Sequence, residues 1–291
     1  MHVAVIGYGK MGKKRAELAR KLGDMVTKVF DKGDAIDLSG VDAAVICTDN
    51  KSLSEVATSA LYQGKHVFVE KPCGLNLFEV SYTISAAKAA CRAAYAGMTL
   101  RHHPGISCLR TAVRECTDIY SMRAVYGHGR RGQLEGDWRT QPGGGELLDQ
   151  GTHLIDLAQC LLGPHESVLI DAYTSVPGRV VDDNAHIYMT GALGWRASLH
   201  ASWTEWAPTF RVELSLDTGK HMVEGLGGAY GLSRYKHYSQ YGEFMRATEF
   251  ERANEVALEN EWLDFKRACE TGSRSSMENA LNVMEAIEDG L

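Results

Sequence analysis

An apolar run, His2-Val3-Ala4-Val5-Ile6, passes directly into Gly7-Tyr8-Gly9-Lys10-Met11-Gly12 and then into a helical pattern through Ala16, Leu18, Ala19 and Leu22. This is a glycine fingerprint in the context it needs, a strand before it and a helix after it. Gly7 permits the tight turn, Gly9 lets backbone approach a pyrophosphate, and Gly12 lets helix and strand pack closely. The helix N-terminus then offers unpaired N–H groups to the phosphates. Tyr8, Lys10 and Met11 fill the same turn and are candidate cofactor contacts. A second strand, 26–30, ends at Asp31, nineteen residues after Gly12. An acid there accepts hydrogen bonds from an adenosine ribose. A carboxylate repels a 2′-phosphate, so Asp31 favours NAD over NADP, while the adjacent Lys32 softens that preference and keeps NADP open.

The alternation continues. Strands are expected over 41–47, 66–69 and 94–99. Between them lie helices ending near residues 64 and 89, the first capped by Asn50 or Ser52. Regular βα alternation predicts a parallel, doubly wound sheet, whose ligands bind beyond the carboxyl ends of the strands. Thr48, Asp49, Glu70 and Lys71 stand at such ends and are expected at the cofactor. So are the residues after Thr99, with Arg101 a candidate substrate ligand. Pro72 restricts the backbone after Lys71 and gives that lysine a defined direction. Lys71 can donate to a substrate hydroxyl or transfer a proton; the plainer reading is a surface lysine paired with Glu70.

The second chemical landmark is Gly143-Gly144-Gly145-Glu146-Leu147-Leu148-Asp149-Gln150-Gly151-Thr152-His153. A helix beginning here places Asp149 and His153 on one face, one turn apart, and stops at Gly163-Pro164. A carboxylate beside an imidazole is a plausible acid/base device; a solvated face carrying two polar residues is the alternative. The preceding loop, 130–145, contains Arg131, Trp138 and Arg139. Its length favours a functional role, with Arg131 a candidate substrate ligand.

Beyond this helix the pattern changes. Strands are expected over 168–176, 185–190, 195–203, 210–216 and 221–224, following one over 122–129. Arg196, Ser198, His200 and Ser202 alternate with Ala197, Leu199, Ala201 and Trp203, as in a half-buried antiparallel strand. Asp217-Thr218-Gly219-Lys220 reads as a hairpin turn. Two helices, 254–271 and 276–288, close the chain. Of Trp203 and Trp206, one is assigned to the core and the other is left open.

Composition narrows the class. There are 37 acidic against 31 basic residues, a net charge of -6, so no basic excess exists to neutralise nucleic-acid phosphates. Seven scattered cysteines without a CxxC pair argue against a disulfide framework or zinc site. His102 and His103 adjoin Pro104 without a second ligand cluster, so a loop role near the cofactor is expected and no metal. No signal-peptide layout and no long apolar run is present, which fits a cytoplasmic protein without membrane spans.

The glycine fingerprint, Gly64-Lys65-His66-Val67 through Glu70-Lys71-Pro72, and the glycine-led Asp149 and His153 together resemble the Gfo/Idh/MocA family of nicotinamide-dependent oxidoreductases. The Trp138 region and two further stretches, Ala201-Ser202-Trp203-Thr204-Glu205-Trp206 and Gly225-Leu226-Gly227-Gly228-Ala229-Tyr230-Gly231, look like its sugar and polysaccharide-pathway branch. The resemblance implies an α/β Rossmann domain with a parallel doubly wound sheet, followed by an α+β domain with an open, mostly antiparallel sheet. The expected boundaries are 1–118 for cofactor binding and 119–291 for substrate binding and oligomerisation, in a homodimer or homotetramer. It also implies hydride transfer between nicotinamide and a secondary hydroxyl or ketone of a sugar or nucleotide sugar. Lys71, Asp149 and His153 match the family's catalytic positions and also bind substrate; Trp138 and Arg139 match a pair that touches cofactor in some members. The loop Thr48-Asp49-Asn50-Lys51-Ser52 departs from the family's proline-containing pattern. Rival readings are a catalytically silent sensor of the same fold and a biliverdin-reductase-like enzyme.

Overall fold

The first sheet follows from four short strands that have no solvent face to supply. In the computed structural model, which describes residues 1–129 and 138–291, β1 (His2–Ile6), β3 (Ala43–Ile46), β4 (His66–Glu70) and β5 (Ala94–Gly97) are almost wholly buried. β2 (Met25–Phe30) alternates exposed and half-buried positions, as an edge strand does. The order is β2-β1-β3-β4-β5, all parallel. Strand order reverses between β1 and β3, which places the ligand crevice of such a sheet at their carboxyl ends. The connecting helices are α1 (Lys10–Lys21), α2 (Leu53–Tyr62) and α3 (Leu77–Ala89).

The chain divides into two units, Met1–Met98 with Leu258–Glu285, and Thr99–Ala257 with Ala286–Leu291. Beside the expected division after residue 118, residues 99–118 cluster with the second unit and Leu258–Glu285 with the first. The reason is the apolar face of α6 (Ala253–Thr271): Leu258, Trp262, Phe265 and Ala268 join Val3, Val45, Phe68 and Tyr95 in one core. Phe265 meets Phe68 edge-on at 5.5 Å, and Trp262 donates from Nε1 to Asp24 at 2.8 Å. α7 (Ser275–Gly290) follows, and Ser276 bonds the backbone of Ala96.

The second unit holds α4 (Pro104–Glu115), α5 (Thr152–Leu162) and eight strands. They are β6 (Ile119–Gly129), β7 (Ser167–Tyr173), β8 (Asn184–Thr190), β9 (Arg196–Ser202), β10 (Thr204–Leu216), β11 (Gly219–Glu224), β12 (Ser233–Tyr238) and β13 (Phe244–Phe250). Their order is β13-β12-β11-β10-β6-β9-β8-β7, antiparallel except for the β6–β9 pair. The alternation expected in β9 is present, and the 217–220 turn joins β10 to β11. β12 and β13 were not foreseen; β13 exposes nearly every residue, so it lacks the apolar alternation that marks a half-buried strand. The expected strand 94–99 ends at Gly97, and Thr99–His102 is a 3₁₀ turn.

Candidate active site

The nucleotide half of the site belongs to the first unit. Gly7 holds φ +88, and a β-carbon there would stand 2.6 Å from the Cys47 carbonyl. Its N–H bonds the Phe30 carbonyl at 2.8 Å. A β-carbon on Gly12 would collide with the Gly7 carbonyl, whereas one on Gly9 would meet nothing within 4 Å. Gly9 is the N-cap of α1, makes no side-chain cap, and no acid stands in the first turn. The result is a bare, acid-free helix start beside open space at Gly9, which suits a pyrophosphate. These residues fit a dinucleotide.

Asp31 and Lys32 directly follow β2 and are exposed. The Asp31 carboxylate accepts from the Lys32 N–H at 2.9 Å, and the Asp31 N–H donates to Asp34 at 2.7 Å, so the acid is presented on a fixed turn. Tyr8 and Met11 are half-buried and Lys10 is exposed. Thr48 and Asp49 follow β3, with the Thr48 N–H beside Gly7. Asp49 accepts from the Ser52 N–H at 3.2 Å and hydroxyl at 2.8 Å. Ser52 occupies the N-cap of α2 without capping it by its side chain, because its hydroxyl is turned to Asp49.

Glu70, expected at the cofactor, anchors the end of β4 through its carboxylate. Arg15 Nε donates to it at 2.6 Å, and Arg15 Nη1 donates to Glu261 at 2.7 Å. The guanidinium also lies over the Phe68 ring at 4.4 Å. Burial works against the Arg15 charge, but Glu261 and Glu70 outweigh it and hold the pKa above its ordinary value. Arg15 is thus a charge partner of Glu70. Lys71 is half-buried directly after β4.

The acid/base half belongs to the second unit. The expected regular helix begins instead with a π-turn, Leu147–Gly151, before α5 starts at Thr152. Asp149 lies inside the wider turn and His153 in the α-helix, so their four-residue spacing is not the regular α-helical one. Asp149 is 3.5 Å from Arg139 Nε, and its N–H bonds the Gly145 carbonyl at 2.9 Å. Gly144 packs where a β-carbon would strike the Arg139 carbonyl, and Gly145 holds φ +105 where one would strike the Asp182 carboxylate.

Asp182 was missed by sequence reasoning. Its carboxylate accepts from the Leu147 N–H at 2.6 Å, and its carbonyl accepts from the Glu146 N–H at 3.1 Å. It supplies acceptors to a helix start whose own N-cap, Glu146, makes no side-chain cap. Burial raises the Asp182 pKa, although those backbone donors pull it down. An Asp pair, Asp182-Asp183, in a loop 35 residues downstream of Leu147 carries no local signal for this role. Tyr126, His128 and Tyr230 were also missed as site residues. The Tyr126 ring centroid is 5.8 Å from that of His153, and Tyr126 also meets His128, Phe210 and Tyr230.

Arg101, expected as a substrate ligand, pairs with the buried Asp156. Its Nε lies 2.8 and 2.9 Å from the two Asp156 oxygens, and Nη2 is 2.8 Å from one of them. His103 is the N-cap of α4, accepting the Gly105 N–H at Nδ1. Trp203 is wholly buried and Trp206 is 85% exposed, which settles the pair left open above. Trp138 and Arg139 fall in a 3₁₀ turn, Trp138–Thr140; the Trp138 side chain and Arg131 lie outside the described residues. Among the described residues no helix is long and apolar enough to cross a membrane.

Comparison with known proteins agrees with this division. A sequence profile described as oxidoreductase family, NAD-binding Rossmann fold, matches residues 23–97. Another, the GFO/IDH/MocA C-terminal domain, matches 112–221. A protein of Amycolatopsis mediterranei named "Putative UDP-kanosamine synthase oxidoreductase subunit" is 34% identical over 167 residues, 56% of this chain and 43% of that protein. The myo-inositol 2-dehydrogenase of Thermotoga maritima is 27% identical over 228 residues, 67% of each chain. The first match thus spans less than half of its relative's length. The crystal structure of UDP-N-acetylglucosamine 3-dehydrogenase from Acidithiobacillus ferrooxidans has the same fold, with a TM-score of 0.81, 22% identity, and coverage of 100% of this chain and 96% of that one. With both family profiles matched, the glycine cradle on the first unit and the Asp149–His153 segment on the second, the chain belongs to the Gfo/Idh/MocA family of oxidoreductases, and its first unit is that family's NAD-binding Rossmann domain.

Proposed function

We propose that the protein is an NAD-dependent dehydrogenase or reductase acting on a secondary hydroxyl or ketone of a sugar or nucleotide sugar. The observation that carries this reading is Asp149 in a π-turn braced by Asp182 and Arg139, four residues before His153. Bound NAD supplies the hydride acceptor or donor. Gly7, Gly9 and Gly12 seat its pyrophosphate, and Asp31 receives the adenosine ribose. His153 takes the hydroxyl proton during oxidation and returns it during reduction. Asp149 orients the imidazole and stabilises its charged form, and the Lys71 ammonium opposes negative charge developing on the substrate oxygen. The names of the relatives, a kanosamine-pathway oxidoreductase subunit, an inositol dehydrogenase and a UDP-sugar dehydrogenase, support the substrate class.

The test is nicotinamide absorbance with pooled sugars and, separately, pooled nucleotide sugars, using NAD and NADP in both directions. Turnover is expected in one pool and absent in a Lys71→Met, His153→Ala double variant. His153→Ala alone should cost roughly a hundred- to ten-thousand-fold in kcat with NAD binding retained. Full turnover in that variant removes the assigned role.

The proposal includes a homodimer or homotetramer built on the solvent face of the second sheet, where the paired residues Leu169 and Tyr188 are 64% and 50% exposed. Light scattering after gel filtration reads the state, and a monomer at working concentration overturns it.

A further inference from the structure

The glycine-rich segment 225–231 has no part in the chemistry above, yet its backbone is shaped for one purpose. Gly225, Gly227, Gly228 and Gly231 all hold positive φ, between +56 and +85. The turn is closed by Gly227 N–H to the Gly231 carbonyl at 2.7 Å and Tyr230 N–H to the Gly227 carbonyl at 3.2 Å. A segment with four residues in this region needs glycine. What it delivers is the Tyr230 phenol, which hydrogen-bonds His128 Nδ1 and Tyr126. On its other side His128 Nε2 is 2.8 Å from Gln150 Nε2. Gln150 is the residue after Asp149, in the same π-turn.

The donor inventory gives this row a direction. An amide NH₂ only donates, so His128 Nε2 accepts. A neutral imidazole accepting at Nε2 carries its proton on Nδ1, which donates to Tyr230 Oη. The Tyr126 hydroxyl in turn donates to Tyr230 Oη, a bond that favours the neutral phenol of Tyr126. This polarity follows the amide orientation assigned to Gln150. The Tyr126 ring, held at its hydroxyl by Tyr230 and edge-on by Phe210 at 5.3 Å, lies 5.8 Å from the His153 ring at a tilt of 42°. The negative charges of Asp149 and Glu146 act on the same phenol.

We propose that Gln150, His128 and Tyr230 form a directional hydrogen-bond chain that fixes Tyr126 against His153, so that Tyr126 and Tyr230 are positioning residues for the acid/base imidazole. The chain joins the glycine loop, β6 and the π-turn through side chains. The inference rests on the reading of His153 as the proton carrier.

Nitrogen NMR of the full chain with ¹⁵N-labelled histidine and bound NAD tests it. In the wild type, His128 should carry its proton on Nδ1. Gln150→Glu offers that imidazole only acceptors and should place a proton on Nε2. Tyr230→Phe, which keeps the ring and removes one hydroxyl, should shift the His153 ring signals in a protein that still folds. Turnover with NAD and myo-inositol, or with NAD and UDP-N-acetylglucosamine, should fall about tenfold in Tyr230→Phe without a change in the KM for NAD, the size expected for one lost hydrogen bond. A wild-type His128 protonated on Nε2, or His153 signals unmoved by Tyr230→Phe, overturns the proposal. The spectra decide it even if neither probe is turned over. Full turnover in His153→Ala, by contrast, overturns the functional reading and leaves the spectral result standing.

Discussion

Arg15 and Glu261, 246 residues apart in sequence, form a wholly buried ion pair at 2.7 Å. The same guanidinium reaches Glu70, the residue before Lys71, at 2.6 Å. Helix α6 thereby anchors the strand end that carries the family's lysine. Arg15→Leu leaves two carboxylates without their cation, one of them fully buried. A loss of about 3–5 kcal/mol is expected, read as a lower denaturant midpoint for the first unit. Glu261→Gln should cost less, because a neutral amide still accepts from Arg15. Equal losses from the two variants would speak against a charge-based role.

The three glycines of the fingerprint make separable predictions. A β-carbon on Gly9 meets nothing in the protein, so Gly9→Ala should change stability by no more than about 1 kcal/mol. It should weaken NAD binding, since the open space belongs to the phosphates. Gly12→Ala pushes against the Gly7 carbonyl and should lower both. Thermal shift with and without NAD, alongside titration of protein fluorescence by NAD, separates them. Unchanged NAD affinity in Gly9→Ala would remove the pyrophosphate from this turn.

Arg101 is expected to matter for stability and not for substrate affinity. Its partner Asp156 is buried, and burial raises the pKa of that carboxylate although Arg101 opposes the shift. Arg101→Leu should destabilise by roughly 3 kcal/mol or more and leave KM for the substrate within about twofold once the protein is folded. A large rise in KM at unchanged stability would restore the role assigned from sequence.

Asp182→Ala removes the acceptor for the Leu147 N–H and should cost about 0.5–2 kcal/mol, the range for a lost helix cap. It should lower kcat as well, since Asp149 rides on the same turn. Asp182→Asn keeps an acceptor and should recover most of both. Melting temperature and initial rates on the two variants check the pairing; identical behaviour of Ala and Asn would exclude it.

Stability should decline in mild acid through two histidines. Burial pushes His103 down to about 4, and burial together with His237 and Arg246 does the same to His221. Folded pKa values below the ordinary histidine value near 6.5 mean that the unfolded chain binds more protons in between. The stabilisation is fully present above about pH 6.5, falls as pH drops through that window, and is gone below about 4. His103→Asn keeps an N-cap acceptor for the Gly105 N–H but cannot titrate. Its midpoint should fall less between pH 6.5 and 4.5 than that of the wild type, and a slope equal to wild type would assign the acid loss elsewhere.

The local chemistry of this protein was written in its sequence. Gly7, Gly9, Gly12 and Asp31 declared a dinucleotide turn because each answers a constraint a few residues wide: a positive φ, a close helix, a strand end. The alternation along β9 and the glycine stop of α5 were legible for the same reason. Partnership at long range was not. Glu70 and Arg101 looked like site residues at strand ends, and only folding supplied Arg15 and Asp156 to claim their charges. The π-turn at Asp149 depends on Asp182, whose approach is set by the second sheet. Tyr230 acquires its meaning when the glycine loop carries it to His128. The apolar face of α6 could be read as a helix, but which core would receive Trp262 and Phe265 is a matter of tertiary packing, since burial of apolar surface has no direction along the chain.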